Sequence, residues 1–272
     1  MDRQVMLRLE AVGCLAEALF NGVPLGRVGV SAGADAASAQ TVLTLPVNEF
    51  TLMGSNELEL LVFPGAPGVL APPEPRLADG RTGASLQLLL PRMAGVAHPA
   101  SARSLAQIDW APPADEVYAA PLSLRKSVEL PIAFPRWRWL DAPIVADSAA
   151  LKNDIARFLL EIAVGLIKGN PEPLIQASRL RLEELALAYE RPLADDVARL
   201  RSQVQAWHAA LPLKPTLPAP GKLLLRPVAG GRLLECLSPD GAPLLQSPLA
   251  GGGQVAWPMR LAVVEGRFYV LR

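Results

Sequence analysis

Histidine and cysteine are scarce in this chain, two of each among 272 residues. None clusters with another, so a structural zinc site, which needs four closely placed thiolate or imidazole ligands, is not expected, and neither is any other metal or cofactor. Cys14 and Cys236 lie far apart in apolar surroundings and read as buried structural thiols rather than as a disulfide or a nucleophile. His98 sits in the loop Ala97-His98-Pro99, and His208 follows Trp207 near a helix end, where a basic side chain meets exposed carbonyls. Both read as surface or capping residues.

Net charge is missing as well. The 26 basic residues equal the 26 acidic ones, and the sequence pI is about 6.8. Without a broad basic field, nucleic acid and anionic membrane are not expected partners. No apolar run approaches the ~20 residues needed to span a bilayer; the nearest, Phe158 to Ile167, is interrupted by Glu161. Met1 to Glu10 scatters charges where a signal peptide needs an apolar stretch, so a cytoplasmic protein with no membrane insertion is expected. Lysine is rare, 5 residues against 21 arginines, and with 27 prolines this composition points to a GC-rich bacterial gene. No lysine completes a phosphate loop at Gly251-Gly252-Gly253, which follows no strand-to-helix transition, and no Ser, His and Asp share a nucleophile context.

What the chain does have is turn chemistry and alternation. Asn21-Gly22 stands between two apolar runs, the strongest short-range hairpin signal, because both central residues of that turn need positive φ. Further on, Gly54-Ser55-Asn56 marks another turn, after which Leu58 and Leu60 alternate with Glu57 and Glu59 as a half-buried strand requires. Strands are expected at Val5 to Leu9, Gln40 to Leu45, Leu58 to Phe63, Ser85 to Leu90 and Ser127 to Ala133. Pro64, Pro67, Pro72, Pro73 and Pro75 make Pro64 to Arg81 a surface loop, since proline donates nothing to a ladder.

Pro135-Arg136-Trp137-Arg138-Trp139-Leu140 alternates again, which as a strand would place both tryptophans on one face and both arginines on the other. Trp and Arg are enriched at binding hot spots, so these four residues are the candidate binding face; filling a core with the two rings is the alternative. The period then changes from two to 3.6 after Asp141-Ala142-Pro143. Leu151, Ile155, Phe158, Ile162 and Leu166 predict a helix behind Asp147 and Ser148 that stops at Lys168-Gly169. Asn170-Pro171 opens a second helix through Leu174, Ile175, Ser178, Leu182 and Leu185. Arg191-Pro192 opens a third, with Val197, Leu200, Val204, Trp207 and Leu211 inward. Lys222 to Val228, Arg232 to Leu237, Trp257 to Val264 and Arg267 to Leu271 predict a small antiparallel sheet, its last pair joined at Glu265-Gly266.

Two resemblances follow from these residues. The stretch from Asn21 to Gly26 with Pro46 to Leu60 resembles the jelly-roll accessory modules of bacterial proteins, in which an Asn-Gly hairpin precedes a strand pair of the Asn-Glu type. Their ligands, often sugars, are held by freely varying loops, so the resemblance implies a fold and no binding residue. Ile155 to Leu174 and Met259 to Arg272 resemble the opening helix pair and final hairpin of NTF2-like (SnoaL-type) domains, although Asn170 stands where that family usually has Asp. Enzymes of that family place a carboxylate or histidine inside a cone, and no residue here matches such a position.

Of the acidic groups, Asp195-Asp196 would complement the dipole of the third helix and Glu183-Glu184 would lie on a solvated face. Asp154 and Glu161, two turns apart near an inward stripe, are the candidate pocket carboxylates. The expectation is therefore an α+β multidomain protein: an antiparallel β-sandwich over residues 1–142, then three helices and a small antiparallel sheet, NTF2-like, over 143–272. Neither half shows a catalytic constellation, so a non-enzymatic protein-binding or adaptor role, such as an immunity-type inhibitor, leads. An NTF2-like small-ligand-binding protein or enzyme is the alternative.

Overall fold

The computed structural model describes residues 4–29, 42–64, 74–91, 101–119, 121–132 and 134–272. It is mixed α and β, mostly antiparallel sheet with four α-helices, and divides into two compact units, Met1–Arg136 and Trp137–Arg272. His98, Pro67, Pro72, Pro73 and Ala133 lie outside the described residues.

The first unit holds β1 (Met6–Val12), β2 (Leu15–Phe20), β3 (Val23–Gly29), β4 (Val42–Pro46), β5 (Gly54–Phe63), β6 (Arg76–Leu77), β7 (Gly83–Pro91), β8 (Ala102–Trp110), β9 (Val117–Tyr118) and β10 (Leu122–Leu130). Two four-stranded antiparallel sheets, ordered β4-β1-β7-β8 and β10-β5-β2-β3, touch through β1 against β2 and β3 and through β8 against β10. Alternation sends Leu7, Leu9, Leu58, Leu60, Leu86 and Leu88 inward, all fully buried, although Glu59 and Leu89 beside them are buried too. The strand around Ser127 begins five residues earlier than its apolar pattern indicates, because Leu122 to Lys126 pair with β5 although most of them are exposed. Strand β8 was not anticipated. A register shift opposite Leu88 and Leu89 breaks its period. Within the proline-rich loop, Arg76 and Leu77 do pair, with Val117 and Tyr118.

Asn21 and Gly22 have φ of 52° and 73°, the geometry their types predict. The three asparagines of the Asn21 to Gly26 and Pro46 to Leu60 stretches, Asn21, Asn48 and Asn56, do more than turn the chain. Asn21 accepts at Oδ1 from the Glu57 N–H at 2.9 Å and donates from Nδ2 to the Phe50 carbonyl at 2.7 Å and to Asn56 Oδ1 at 2.9 Å. Asn56, 2 % exposed, accepts from the Leu52 N–H and donates to the Leu52 and Gly54 carbonyls. Asn48 Oδ1 accepts from the Val5 N–H at 2.8 Å and ties the same loop to the start of β1. These side chains supply the partners that buried loop backbone cannot find in a ladder.

The second unit holds α1 (Ala149–Ile167), α2 (Glu172–Ala177), α3 (Arg179–Ala188), α4 (Leu193–Ala210), β11 (Leu224–Val228), β12 (Leu233–Leu237), β13 (Leu245–Pro248), β14 (Gln254–Trp257), β15 (Met259–Val264) and β16 (Arg267–Val270). Ser148 caps α1, its Oγ accepting from the Leu151 N–H at 3.1 Å. The second expected helix is two: Ser178, at φ −101° and ψ 7°, ends α2 and opens α3, so the unit has four helices and not three. The sheet runs β11-β12-β15-β16, all antiparallel, and β13 pairs with β14 across the turn that contains Gly251-Gly252-Gly253. Those glycines serve a hairpin. Ile155, Leu159, Ile162, Leu166, Val204, Leu234, Leu245, Trp257 and Leu261 share one core.

The segment at Pro135 to Leu140 is not a strand. Its chain is extended to Trp137 and then coils into a 3-10 turn over Arg138–Asp141. The Arg138 N–H donates to Glu184 Oε1 at 2.7 Å, and its guanidinium reaches Glu183 at 2.7 Å and the Leu180 carbonyl at 3.2 Å. Those three bonds fasten the backbone to α3, where a strand would need a neighbour. Glu184 is 3 % exposed and not solvated, because it also meets Arg272, 1 % exposed, at 2.6 Å. The Arg272 guanidinium lies 5.7 Å over the Trp137 ring.

Two outcomes follow. Asn56→Ala strands the Leu52 backbone and the Asn21 amide, and should lower stability by about 2–4 kcal/mol in denaturant titration, with Glu57→Ala nearly neutral. A fragment of residues 137–272 should melt cooperatively and at higher temperature than one of 143–272, which lacks Trp137 and Trp139; equal melting of the two would show that the rings contribute nothing to that unit.

Candidate functional site

Between helix α3, helix α4 and strand β15 lies a cleft of about 210 Å³. Its floor is apolar: Leu174, Leu182, Leu185, Leu200, Trp257, Met259 and Val270. Each arrives by ordinary helical or strand periodicity, and Trp257 is fixed edge-on against Trp207 at 6.1 Å. The rim is polar, formed by Arg181, Arg191, Arg199 and Gln203, with Ser178 buried beneath it.

One carboxylate sits among these arginines. Asp196, 6 % exposed, is bridged by Arg191 Nη2 at 3.2 Å on Oδ2 and by Arg199 Nη1 at 3.2 Å on Oδ1. It does more than complement the dipole of α4: the i,i+3 spacing from Asp196 to Arg199 and the turn that carries Arg191 make it the anchor of the rim. Asp195 remains exposed. Arg191 also stacks 4.8 Å over the Tyr189 ring, which fixes the plane of its guanidinium. The lining includes no His, Cys, Lys or Tyr. The lining thus places one carboxylate between two guanidiniums above an apolar floor.

The residues marked from the sequence lie elsewhere. Trp137 and Trp139 are buried in the second unit, so neither ring presents a face to a partner. Arg138 is engaged by α3, and Arg136 is exposed. Asp154 is exposed and bonded by Arg157 at 3.3 Å. Glu161 is exposed on the wall of an open groove of about 570 Å³, with Phe158, Arg179, Phe268 and Tyr269. The structure does not bring Asp154 to that groove. His208 accepts at Nδ1 from the Leu213 N–H at 3.3 Å, so it caps an amide of the chain leaving α4 and not a carbonyl. Among the described residues, no group of three His, Cys, Asp or Glu is placed to hold a metal ion, and no helix is long and apolar enough to cross a membrane.

Arg181, Arg191 and Arg199 escaped the sequence reading because arginine spacing has no period until helix ends are known. The pair Asp196 and Arg199 was the available signal. Compared with family models, curated proteins and solved structures, the chain matches none.

Both thiols are held in the neutral form by desolvation. Burial pushes Cys14 from an ordinary 9.0 up to about 11, only partly offset by its backbone hydrogen bonding at Val12 and Gly83, and it pushes Cys236 up strongly, with Glu235 adding to the effect. Neither should react with a thiol reagent at pH ~8 until the protein is unfolded. A raised folded pKa contributes stability that is complete below the unfolded value and is lost as pH rises through the folded one. Denaturant midpoints should therefore fall between pH ~9 and pH ~11, and fall less steeply in Cys14→Ala. Rapid labelling of the native protein would contradict both statements.

Proposed function

We propose that this chain is a bacterial cytoplasmic protein that acts by binding another protein, without catalysis, in the manner of an adaptor or an immunity-type inhibitor. In this reading the first unit is a β-sandwich scaffold and the second an NTF2-like α+β domain, and the cleft between α3, α4 and β15 is the recognition site. The observation that carries it is the size and lining of the cleft. Small-molecule and cofactor sites occupy roughly 300–1,000 Å³, whereas this one offers about 210 Å³ with an apolar floor and a charged rim. That volume suits one or two side chains of a partner, in the way hot-spot pockets take an aromatic or aliphatic anchor.

Trp257 and the buried Asp196 favour a second reading, a receptor for a small ligand. The two are separated by what occupies the cleft in cells. A photocrosslinking amino acid placed at Gln203 should give a protein adduct of defined mass in the native cells, and Leu200→Trp, which fills the floor, should abolish it. Recovery of the protein with no polypeptide adduct would overturn the protein-binding reading.

A further inference from the structure

We propose that the occupant of this cleft is an acidic peptide segment of the partner, one large apolar side chain flanked by Asp or Glu. The inference rests on the reading that the cleft binds a protein, and it adds the partner's chemistry. Two guanidiniums in the lining, those of Arg191 and Arg199, meet one carboxylate, that of Asp196. That carboxylate is buried and takes a single nitrogen from each of Arg191 and Arg199, while a guanidinium carries five donors in a rigid fork. Arg191 Nε and Asp196 Oδ2 are both buried and make no hydrogen bond, while the side chain of Arg199 is 60 % exposed at the rim. Two guanidiniums thus meet a single carboxylate, and Arg199 presents directed donors to solvent at the cleft mouth, on a chain whose net charge is zero.

Carboxylates match that rim because guanidinium and carboxylate pair through two parallel bonds, and a lysine-bearing segment would be repelled by it. The floor selects an apolar group and rejects a bare polyanion, which would leave Leu182, Leu200 and Trp257 facing water. A long acyl chain would exceed the 210 Å³ available. An apolar anchor with acidic neighbours satisfies floor and rim together.

The test is a selection of random displayed peptides on the full chain, with Leu200→Trp as the counter-target and Gln203→Trp as a second filled variant should the first not fold. Cleft-dependent peptides should carry one Leu, Phe or Trp with at least two acidic residues beside it. Their affinity should fall about threefold to tenfold when ionic strength is raised from low to well above physiological, and by about threefold to tenfold with the folded variant Arg199→Gln. Replacing their Glu by Gln should remove that sensitivity. If cleft-dependent peptides are not enriched in acidic residues, or ignore the arginine variant, the acidic-partner proposal is wrong and the binding reading stands. If no selected peptide distinguishes the filled cleft from the open one, the binding reading fails and the proposal falls with it.

Discussion

The second unit is organised around one buried ion pair. Glu184 on α3 meets Arg272, which follows β16, and both are nearly without solvent contact. Removing two such charges from water costs several kcal/mol for each, and the cost is offset only where the remaining donors and acceptors are satisfied. Here the Arg138 N–H donates to the other Glu184 oxygen, Arg272 Nη1 also donates to the Leu271 carbonyl and the Trp137 ring covers the guanidinium, while Arg272 Nε makes no hydrogen bond. The coil at Trp137 to Asp141, the placement of α3 and the end of the sheet are thus set by a single carboxylate. Val270 of β16 and Leu182 and Leu185 of α3, neighbours of the pair in sequence, also line the cleft.

Burial of a charged pair is costly if either member is lost, and that asymmetry gives specificity to a contact that apolar side chains would make with more tolerance. The first unit applies the same logic with neutral groups. Asn21 and Asn56 hold a loop whose backbone has no strand partner, and their amides do for the turns what Glu184 does for α3. In both units a polar side chain, not an apolar one, decides which of several compact arrangements the chain adopts. Apolar burial supplies most of the stability, but it is non-directional and would accept other registers.

Local signals were legible and long-range ones were not. The Asn21-Gly22 hairpin, the Ser148 cap, the inner stripe of α1 and the final hairpin at Glu265-Gly266 are written in spacing and turn chemistry, and each appears in the structure. The break at Ser178 was hidden, because a serine in an otherwise continuous helical pattern gives no stop signal of its own. Glu184 looked solvated because its partners, Arg138 and Arg272, are 46 and 88 residues away. The tryptophan and arginine alternation misled for a related reason: a period of two describes a strand only if another strand lies beside it. The cleft was illegible from sequence altogether, since its arginines come from three separate segments.

The claim on which this account depends is that Glu184 and Arg272 act as a unit. A double-mutant cycle with Glu184→Gln, Arg272→Gln and the combined variant, measured by denaturant unfolding of the full chain, tests it directly. Coupling of about 2 kcal/mol or more is the predicted result, each single change costing nearly as much as both together. Additive single effects within about 0.5 kcal/mol would show that the pair is incidental and that α3 is held by apolar packing alone.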